Sequence, residues 1–417
     1  MNKEKEMVVP ELRFSEFENE GDWKEKTLVN IAEIVTGTTP KTSESENYGG
    51  NKLFVSPADI SGKRYISKTI KTLSEIGFSK SRVLPENSIL FVCIGSTIGK
   101  IAQNKIECAT NQQINSLIPF ENYSNDFIYS LLENNSYRIA SLAGHQAVPL
   151  INKTDFSEIL VLLPPTKLEQ QKIANCLSSL DNLITAETEK LDHLKDHKKG
   201  LLQQLFPTNG ETKPQFRFLE FKNDGDWEIT TLGKIAKFRR GSFPQPYGRP
   251  EWYDDENGMP FIQVYDVDTN LKIKPKTKRR ISALAAEKSV FIAKGTVIIT
   301  IQGSIGRVAI TQYDAYIDRT LLLFEEFYKP IDKLFFAYVI QLLFEIEKEK
   351  APGGIIKTIT KEVLTSFNIY LPNVLEQQKI AKCLSSLDDL ITAQVQKIKS
   401  LKKHKKGLMQ QLFPHTI

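Results

Sequence analysis

The side chains best suited to chemistry lie in loops that occur in pairs. Gly95-Ser96-Thr97-Ile98-Gly99-Lys100 aligns with Gln302-Gly303-Ser304-Ile305-Gly306-Arg307. Each offers a flexible turn, a hydroxyl and a terminal cation. That is equipment for a phosphate or base contact, or for no more than a tight turn with a surface cation. Thr110-Asn111-Gln112-Gln113 aligns with Ile317-Asp318-Arg319-Thr320. Asn or Gln can hold adenine through two hydrogen bonds and Arg can do the same for guanine, so this exchange has the form of a change in base preference. Amides that pack the domain are the competing reading. Arg239-Arg240 and Lys276-Thr277-Lys278-Arg279-Arg280 make the second half locally basic, which suits phosphate contact or a solvated face.

Equipment for catalysis is missing. The first loop approaches a phosphate-binding loop, but it is short of the GxxxxGK[ST] spacing and is followed by Ile101 in place of a hydroxyl residue. An adenine methyltransferase should carry an Asn/Asp-Pro-Pro-aromatic tetrapeptide to grip a flipped base, and Leu163-Pro164-Pro165-Thr166 is not one. His145, His193, His197, His404 and His415 show no metal-ligand spacing and read as solvated. Of four cysteines, Cys176 and Cys383 occupy one position of a repeat, and Cys93 and Cys108 lie in apolar segments; all read as buried free thiols.

The frame that must position these loops is written twice. Residues 168–207, LEQQKIANCLSSLDNLITAETEKLDHLKDHKKGLLQQLFP, return at 375–414 with 30 of 40 positions identical at an offset of 207. Alternating steps of four and three visit Ile173, Leu177, Leu180, Ile184, Glu187, Leu191, Leu194, Lys198, Leu201 and Leu205, eight of ten apolar. The second copy gives Ile380, Leu384, Leu387, Ile391, Gln394, Ile398, Leu401, Lys405, Leu408 and Leu412. This is the 3.5-residue seam of a coiled coil. Prolines before each copy and the first-turn acids Glu169 and Glu376 mark helix starts, and Pro207 and Pro414 mark the ends. Each copy then predicts one helix of roughly 57 Å. Its simplest partner is the other copy, antiparallel, with the globular parts at opposite ends. Gly200 and Gly407, late in each helix, suggest a close backbone approach or a local bend.

The preceding stretches share a weaker skeleton. Pro10 to Phe17, Gly21-Asp22-Trp23 and Leu28 return as Pro214 to Phe221, Gly225-Asp226-Trp227 and Leu232, and read as docking aromatics. Residues 54–60 match 261–267 and residues 88–95 match 295–302, all with the β-branched and aromatic content of strands. Helices are expected near 127–142 and 334–347. At 417 residues, 41% hydrophobic and 25% charged, the chain predicts a globular protein of two or three domains. With 55 basic and 50 acidic residues, the net charge argues neither for DNA nor against it. The N-terminus lacks the apolar core of a secretory signal, and the most apolar stretch, residues 334–344, is too short to span a bilayer. A cytoplasmic location is expected.

This layout resembles the DNA-specificity (S) subunit of Type I restriction-modification systems. The marks are Leu-Glu-Gln-Gln-Lys-Ile-Ala at 168–174 and 375–381, the Leu-Pro shortly before each, and two variable domains alternating with two repeated helices. The resemblance implies mixed α/β (α+β) target-recognition domains in two copies, separated by an antiparallel two-helix coiled coil, with an internal pseudo-twofold repeat. The implied segments are 1–163 and 208–370 for the recognition domains, and 164–207 and 371–417 for the helices. It further implies no catalysis by this chain. Each domain would read one half of a split, asymmetric DNA site, and the helices would hold two methyltransferase subunits and, through them, two motor-nuclease subunits. S-adenosylmethionine, ATP and Mg would belong to those partners, with no cofactor or metal here.

The DNA-binding candidates are Ser96, Thr97, Lys100, Asn111, Gln112, Gln113, Arg239, Arg240, Arg279, Arg280, Gln302, Ser304, Arg307 and Arg319. His145, Gln146 and Lys357 join them from a third loop that resembles the glycine-containing one family members place near DNA. The docking or coiled-coil candidates are Leu168, Gln171, Ile173, Leu177, Leu180, Ile184, Leu375, Gln378, Ile380, Leu384, Leu387 and Ile391. Half-sites on one face of a duplex lie about one turn, ~34 Å, apart, so two readers need a rigid spacer of that scale. A structural coiled-coil scaffold with protein-binding ends is the alternative reading.

Overall fold

The computed structural model describes residues 8–144, 148–208, 210–350 and 361–414. The chain divides into two compact units: Met1–Lys190 with Gln394–Ile417, and Leu191–Ala393. Two 39-residue helices, a central one (Lys167–Leu205) and a C-terminal one (Val374–Leu412), each contribute to both units.

The first unit is built on two sheets. One has five strands in the order Ala32–Thr36, Ile114–Pro119, Ile89–Val92, Ile101–Asn104, Tyr65–Ile66; the other has four in the order Lys71–Leu73, Tyr48–Val55, Cys108–Thr110, Val83–Leu84. Strand Ile89–Val92 is buried at every position. Ile89 and Phe91 face a core shared with helix Asn125–Ser141 and both long helices, whereas Leu90 and Val92 meet Leu53, Val55 and Cys108 of the second sheet. A strand covered on both faces reads as an unbroken apolar run rather than an alternation.

The second unit repeats this plan. Ala236–Arg240, Leu321–Phe327, Val297–Thr300 and Val308–Ile310 form one sheet; Arg279–Ile281, Met259–Ile262, Ala315–Ile317 and Val290–Ile292 form the other. Val297 and Ile299 turn toward helix Lys333–Lys350, and Ile298 toward the second sheet. In each unit a two-stranded antiparallel ribbon leads into the long helix: Lys24–Thr27 with Leu160–Leu163, and Glu228–Thr231 with Asn368–Leu371.

The long helices pair antiparallel along the expected seam, every position of which is buried or half-buried. Its polar members are matched. Lys405 Nζ lies 2.6 Å from Asp181 Oδ1 and 2.6 Å from Glu133 Oε2 in the first unit. In the second unit, Lys198 Nζ lies 2.6 Å from Asp388 Oδ1, whose other oxygen accepts the Tyr338 hydroxyl at 2.5 Å. Gln394 Nε2 donates to Glu187 Oε2 at 2.6 Å, and Lys397 reaches the other Glu187 oxygen. The close approach expected at Gly200 and Gly407 is not found: a Cβ at either would meet nothing within 4 Å. Cys93 and Cys108 are buried, which pushes each thiol up to about 12, while Cys176 and Cys383 are only half-buried.

The repeated Leu-Glu-Gln-Gln motif divides between inside and outside. Buried Glu169 accepts both Arg13 Nε and Nη2 at 2.8 Å, and buried Glu376 accepts Arg217 at 2.8 and 2.7 Å. The neighbouring glutamines, Gln170 and Gln377, accept the backbone N–H of Ser124 and Asp332 at 3.1 and 3.0 Å. Those two residues cap the domain helices. Leu168 and Leu375 are 68% and 69% exposed, and Gln171 and Gln378 are exposed beside them. Ile173, Leu177, Ile380 and Leu384 are buried in the domain cores, and Leu180, Ile184, Leu387 and Ile391 are half-buried along the seam.

Candidate nucleic-acid interface

In each unit four strands end side by side, and equivalent hydrogen bonds join their ends. Gly37 N–H donates to Ile114 O (3.1 Å), Asn111 N–H to Val55 O (3.0 Å), and Cys93 N–H to Gln113 O (2.8 Å). The second unit repeats them as Gly241 to Leu321 (3.0 Å), Asp318 to Ile262 (3.0 Å) and Ile301 to Thr320 (2.9 Å). Both glycines are required by space. A Cβ on Gly37 would stand 2.2 Å from Asn111 O, and one on Gly241 2.4 Å from Asp318 O. Further along, Asp59 binds Ser56 N–H at 2.8 Å and Ile70 N–H at 2.7 Å; Asp266 binds Gln263 N–H and Lys278 N–H at 2.9 Å each. Burial raises the Asp266 carboxyl despite those N–H donors. The result is one rim of loops, built the same way twice.

The rims differ in what they expose. In the first unit the exposed groups among the described residues include Thr39, Gln112, Ser96, Lys100 and Arg82, the last bonded to Thr36 O and Thr38, with Thr38 and Thr97 half-buried. The Thr39 hydroxyl donates to Gln112 Oε1 at 2.5 Å. Asn111 Nδ2 donates to Gln113 Oε1 at 3.0 Å, and Asn111 Oδ1 accepts Gln113 N–H at 3.1 Å, so these two amides hold the turn. Lys100 is tied to Pro57 O at 3.3 Å.

The second rim is aromatic and cationic. Phe243, Tyr247, Tyr253 and Phe261 pack together, with Phe243 4.7 to 5.5 Å from the other rings. The Arg279 guanidinium lies 3.9 Å from the Tyr253 centroid, and that of Arg319 lies 4.9 Å from Tyr247. The Tyr247 hydroxyl donates to buried Asp318; burial first, and this hydrogen bond second, raise its pKa. Tyr265, 38% exposed, donates to Gln263 and is pushed up to about 12, mainly by burial.

Most of the second-unit cations are already engaged. Arg239 pairs with Glu325 at 2.9 Å, Arg279 lies 3.3 Å from Asp255, Arg280 donates to Gly258 O at 2.6 Å, and Arg307 to Val267 O at 3.2 Å. Arg240 and Arg319 are exposed with no hydrogen bond or ion pair among the described residues. Gln302 and Ser304 are exposed on the loop whose Gly303 would place a Cβ 3.5 Å from Val264. The rim thus brings together Ser96, Thr97, Asn111, Gln112 and Gln113 in one unit, and Gln302, Ser304, Arg279 and Arg319 in the other. His145, Gln146 and Lys357 lie outside the described residues.

Sequence reasoning missed several rim residues: Thr38 and Thr39, and Tyr247, Tyr253 and Tyr265. A signal was present, since Gly37-Thr38-Thr39-Pro40 and Gly241-Ser242-Phe243-Pro244 share a Gly, a hydroxyl and a Pro at one spacing. Among the described residues no group of His, Cys, Asp and Glu could hold a metal ion, and no helix is long and apolar enough to cross a membrane.

Comparison with known proteins agrees with this geometry. The model of the Type I restriction modification DNA specificity domain matches twice, at residues 20–196 and 224–403. A Methanocaldococcus jannaschii chain named as the specificity subunit of the type I restriction enzyme MjaX is 28% identical over 422 residues, covering 95% of this chain and 94% of that one. The HindI specificity subunit of Haemophilus influenzae is 30% identical over 183 residues, 42% of this chain and 39% of that one. Among solved structures, the S subunit from M. genitalium has a TM-score of 0.61 at 16% identity, over 98% of this chain and all of that one. A chain from a study of type I assembly and conformational transition gives 0.57 at 18%, over 95% and 98%. These two likenesses carry the fold. Two matched domains cover most of the sequence, and the chain therefore belongs to the Type I restriction-modification DNA-specificity family.

Proposed function

We propose that this chain is the DNA-reading, non-catalytic subunit of a Type I restriction-modification complex, and that each unit reads one half of a split, asymmetric site. The observation that carries this reading is the doubled rim: one backbone frame, held by equivalent hydrogen bonds, with different exposed side chains in the two units. A duplicated frame with altered tips is what two readers of different sequences require, since phosphate contacts and backbone fix position while side chains at base edges specify.

The outward half of the repeated motif supports the second part of the role. Leu168 with Gln171, and Leu375 with Gln378, give two near-identical exposed patches next to a buried, rigid first turn. Two matching patches suit two copies of one partner, the methyltransferase subunit, through which two motor-nuclease subunits would join. S-adenosylmethionine, ATP and Mg would be bound by those partners, and the assembly would work in the cytoplasm.

The test is to map N6-methyladenine in a host carrying this gene with its methyltransferase partner, against the partner alone. A split motif methylated on both strands only when this chain is present is the expected result. Methylation that is absent, or unchanged by removing the chain, would reject the role.

A further inference from the structure

The turns that follow Cys108–Thr110 and Ala315–Ile317 separate framework residues from one variable residue. In each, the first residue binds the N–H of the third through its side chain: Asn111 Oδ1 takes Gln113 N–H at 3.1 Å, and Asp318 Oδ1 takes Thr320 N–H at 2.9 Å. The first residue's own N–H is held by a neighbouring strand, and the third residue's carbonyl by another. The outer two positions are therefore committed to the fold. Between them, Gln112 and Arg319 occupy the same place in the repeat and are both exposed.

Their surroundings prepare them differently. Gln112 accepts the Thr39 hydroxyl at 2.5 Å, which orients its amide, while its Nε2 donates to nothing among the described residues. The Arg319 guanidinium lies against Tyr247, a ring fixed in turn through its hydroxyl to the Asp318 of the same turn. Such a guanidinium loses less rotamer freedom on engaging a base edge than a free one. Nearby Arg280 and Arg307 are tied to backbone carbonyls and Arg279 pairs with Asp255, whereas Arg319, like Arg240, has no hydrogen bond or ion pair among the described residues.

We propose that this middle residue determines base identity in each half-site: Arg319 reads a guanine through N7 and O6, and Gln112 reads an adenine through N6 and N7. The proposal rests on the DNA-reading role above and adds the residue and the base class.

The experiment uses the full chain in complex with its methyltransferase partner, comparing wild type with Arg319→Gln, Arg319→Lys and Gln112→Arg. Binding to duplexes randomised one base pair at a time is measured at several salt concentrations. Arg319→Gln should lose affinity for the wild-type site by roughly tenfold to a hundredfold and change preference at one base pair of one half-site only. Arg319→Lys, which keeps the charge but not the fork, should weaken the guanine preference at the same base pair. Gln112→Arg should change one base pair of the other half. Weakening that is uniform across sequences, with the salt slope reduced by about one, would make Arg319 a phosphate contact and overturn the assignment. Unchanged preferences, a change in both halves, or a wild-type half-site without guanine would overturn it too. A wild-type complex that selects no split sequence at all would instead reject the function on which this proposal stands.

Discussion

The two rims share their scaffolding and differ in their fittings. In the first unit a short connection, residues 37–47, carries hydroxyls that meet an amide tip; in the second a longer one, residues 241–258, brings in Phe243 and, packed on it, Tyr247 and Tyr253, each of which holds an arginine. An amide of three rotatable bonds can be steered by a single hydroxyl. A guanidinium on a longer stem needs a flat surface to lie on, and a flat surface needs a packed base of its own. The added length of the second connection supplies that base.

The difference between the units shows first where each domain meets the first turn of a long helix. Arg217 and Arg13 neutralise the buried carboxylates Glu376 and Glu169 with less than a tenth of their own side chains exposed. Glu169 also accepts Trp23 Nε1 at 3.3 Å, whereas Trp227 Nε1 has no hydrogen-bond partner among the described residues. Arg217→Ala should therefore cost about 3–5 kcal/mol, as expected for stranding a buried charge, and Arg13→Ala should cost less. Hydrogen exchange of Glu228–Thr231 and Lys24–Thr27 in the two variants checks the order. Equal losses would mean that the indole contributes nothing.

A smaller effect is expected at the rim itself. Gly37→Ala and Gly241→Ala force a methyl group into backbone oxygens and should each destabilise their own unit by about 1–3 kcal/mol. Each should abolish recognition of one half-site while leaving the other readable, as binding to half-randomised duplexes would reveal. Loss of both halves from either variant would show that the rims do not act separately. Smallest is Arg239→Ala. Its pair with Glu325 is half exposed, so stability should move by at most about 1 kcal/mol in a thermal melt. If the residue meets phosphate in the complex, the salt slope of binding should fall by about one without any change in sequence preference.

The sequence made the frame legible because the frame is periodic or repeated. The seam followed from steps of four and three, and the strands 89–92 and 297–300 stood out as apolar runs because two layers cover them. The non-apolar seam positions had a cause that periodicity cannot show: Lys405 is matched by Asp181 and Glu133, hundreds of residues away. At the rim, the alignment of 110–113 with 317–320 found the right turn but could not rank its members. Asn111, Gln112 and Gln113 are alike as side chains, and only the bonds that occupy the first and third leave the second available. The cations were read as free because charge is visible in a sequence and its neutralisation by a distant Glu325 or a backbone carbonyl is not. Gly200 and Gly407 suggested a close approach or a local bend, and of these the close approach is not found among the described residues.

The contact between Glu187 and Gln394 marks a limit on what a repeated segment can do by pairing with itself. Those residues are 207 apart, the offset of the repeat, so this position meets its own copy. Elsewhere along the seam a duplicated segment satisfies itself by reciprocity, as Lys198 with Asp388 and Lys405 with Asp181 illustrate. At this position reciprocity cannot supply a complement: two identical halves would oppose glutamate to glutamate or glutamine to glutamine. The difference between the two copies here turns a like-with-like contact into a donor–acceptor pair, with Lys397 reaching the other Glu187 oxygen. The position where a copy must meet itself is thus one where the two copies differ.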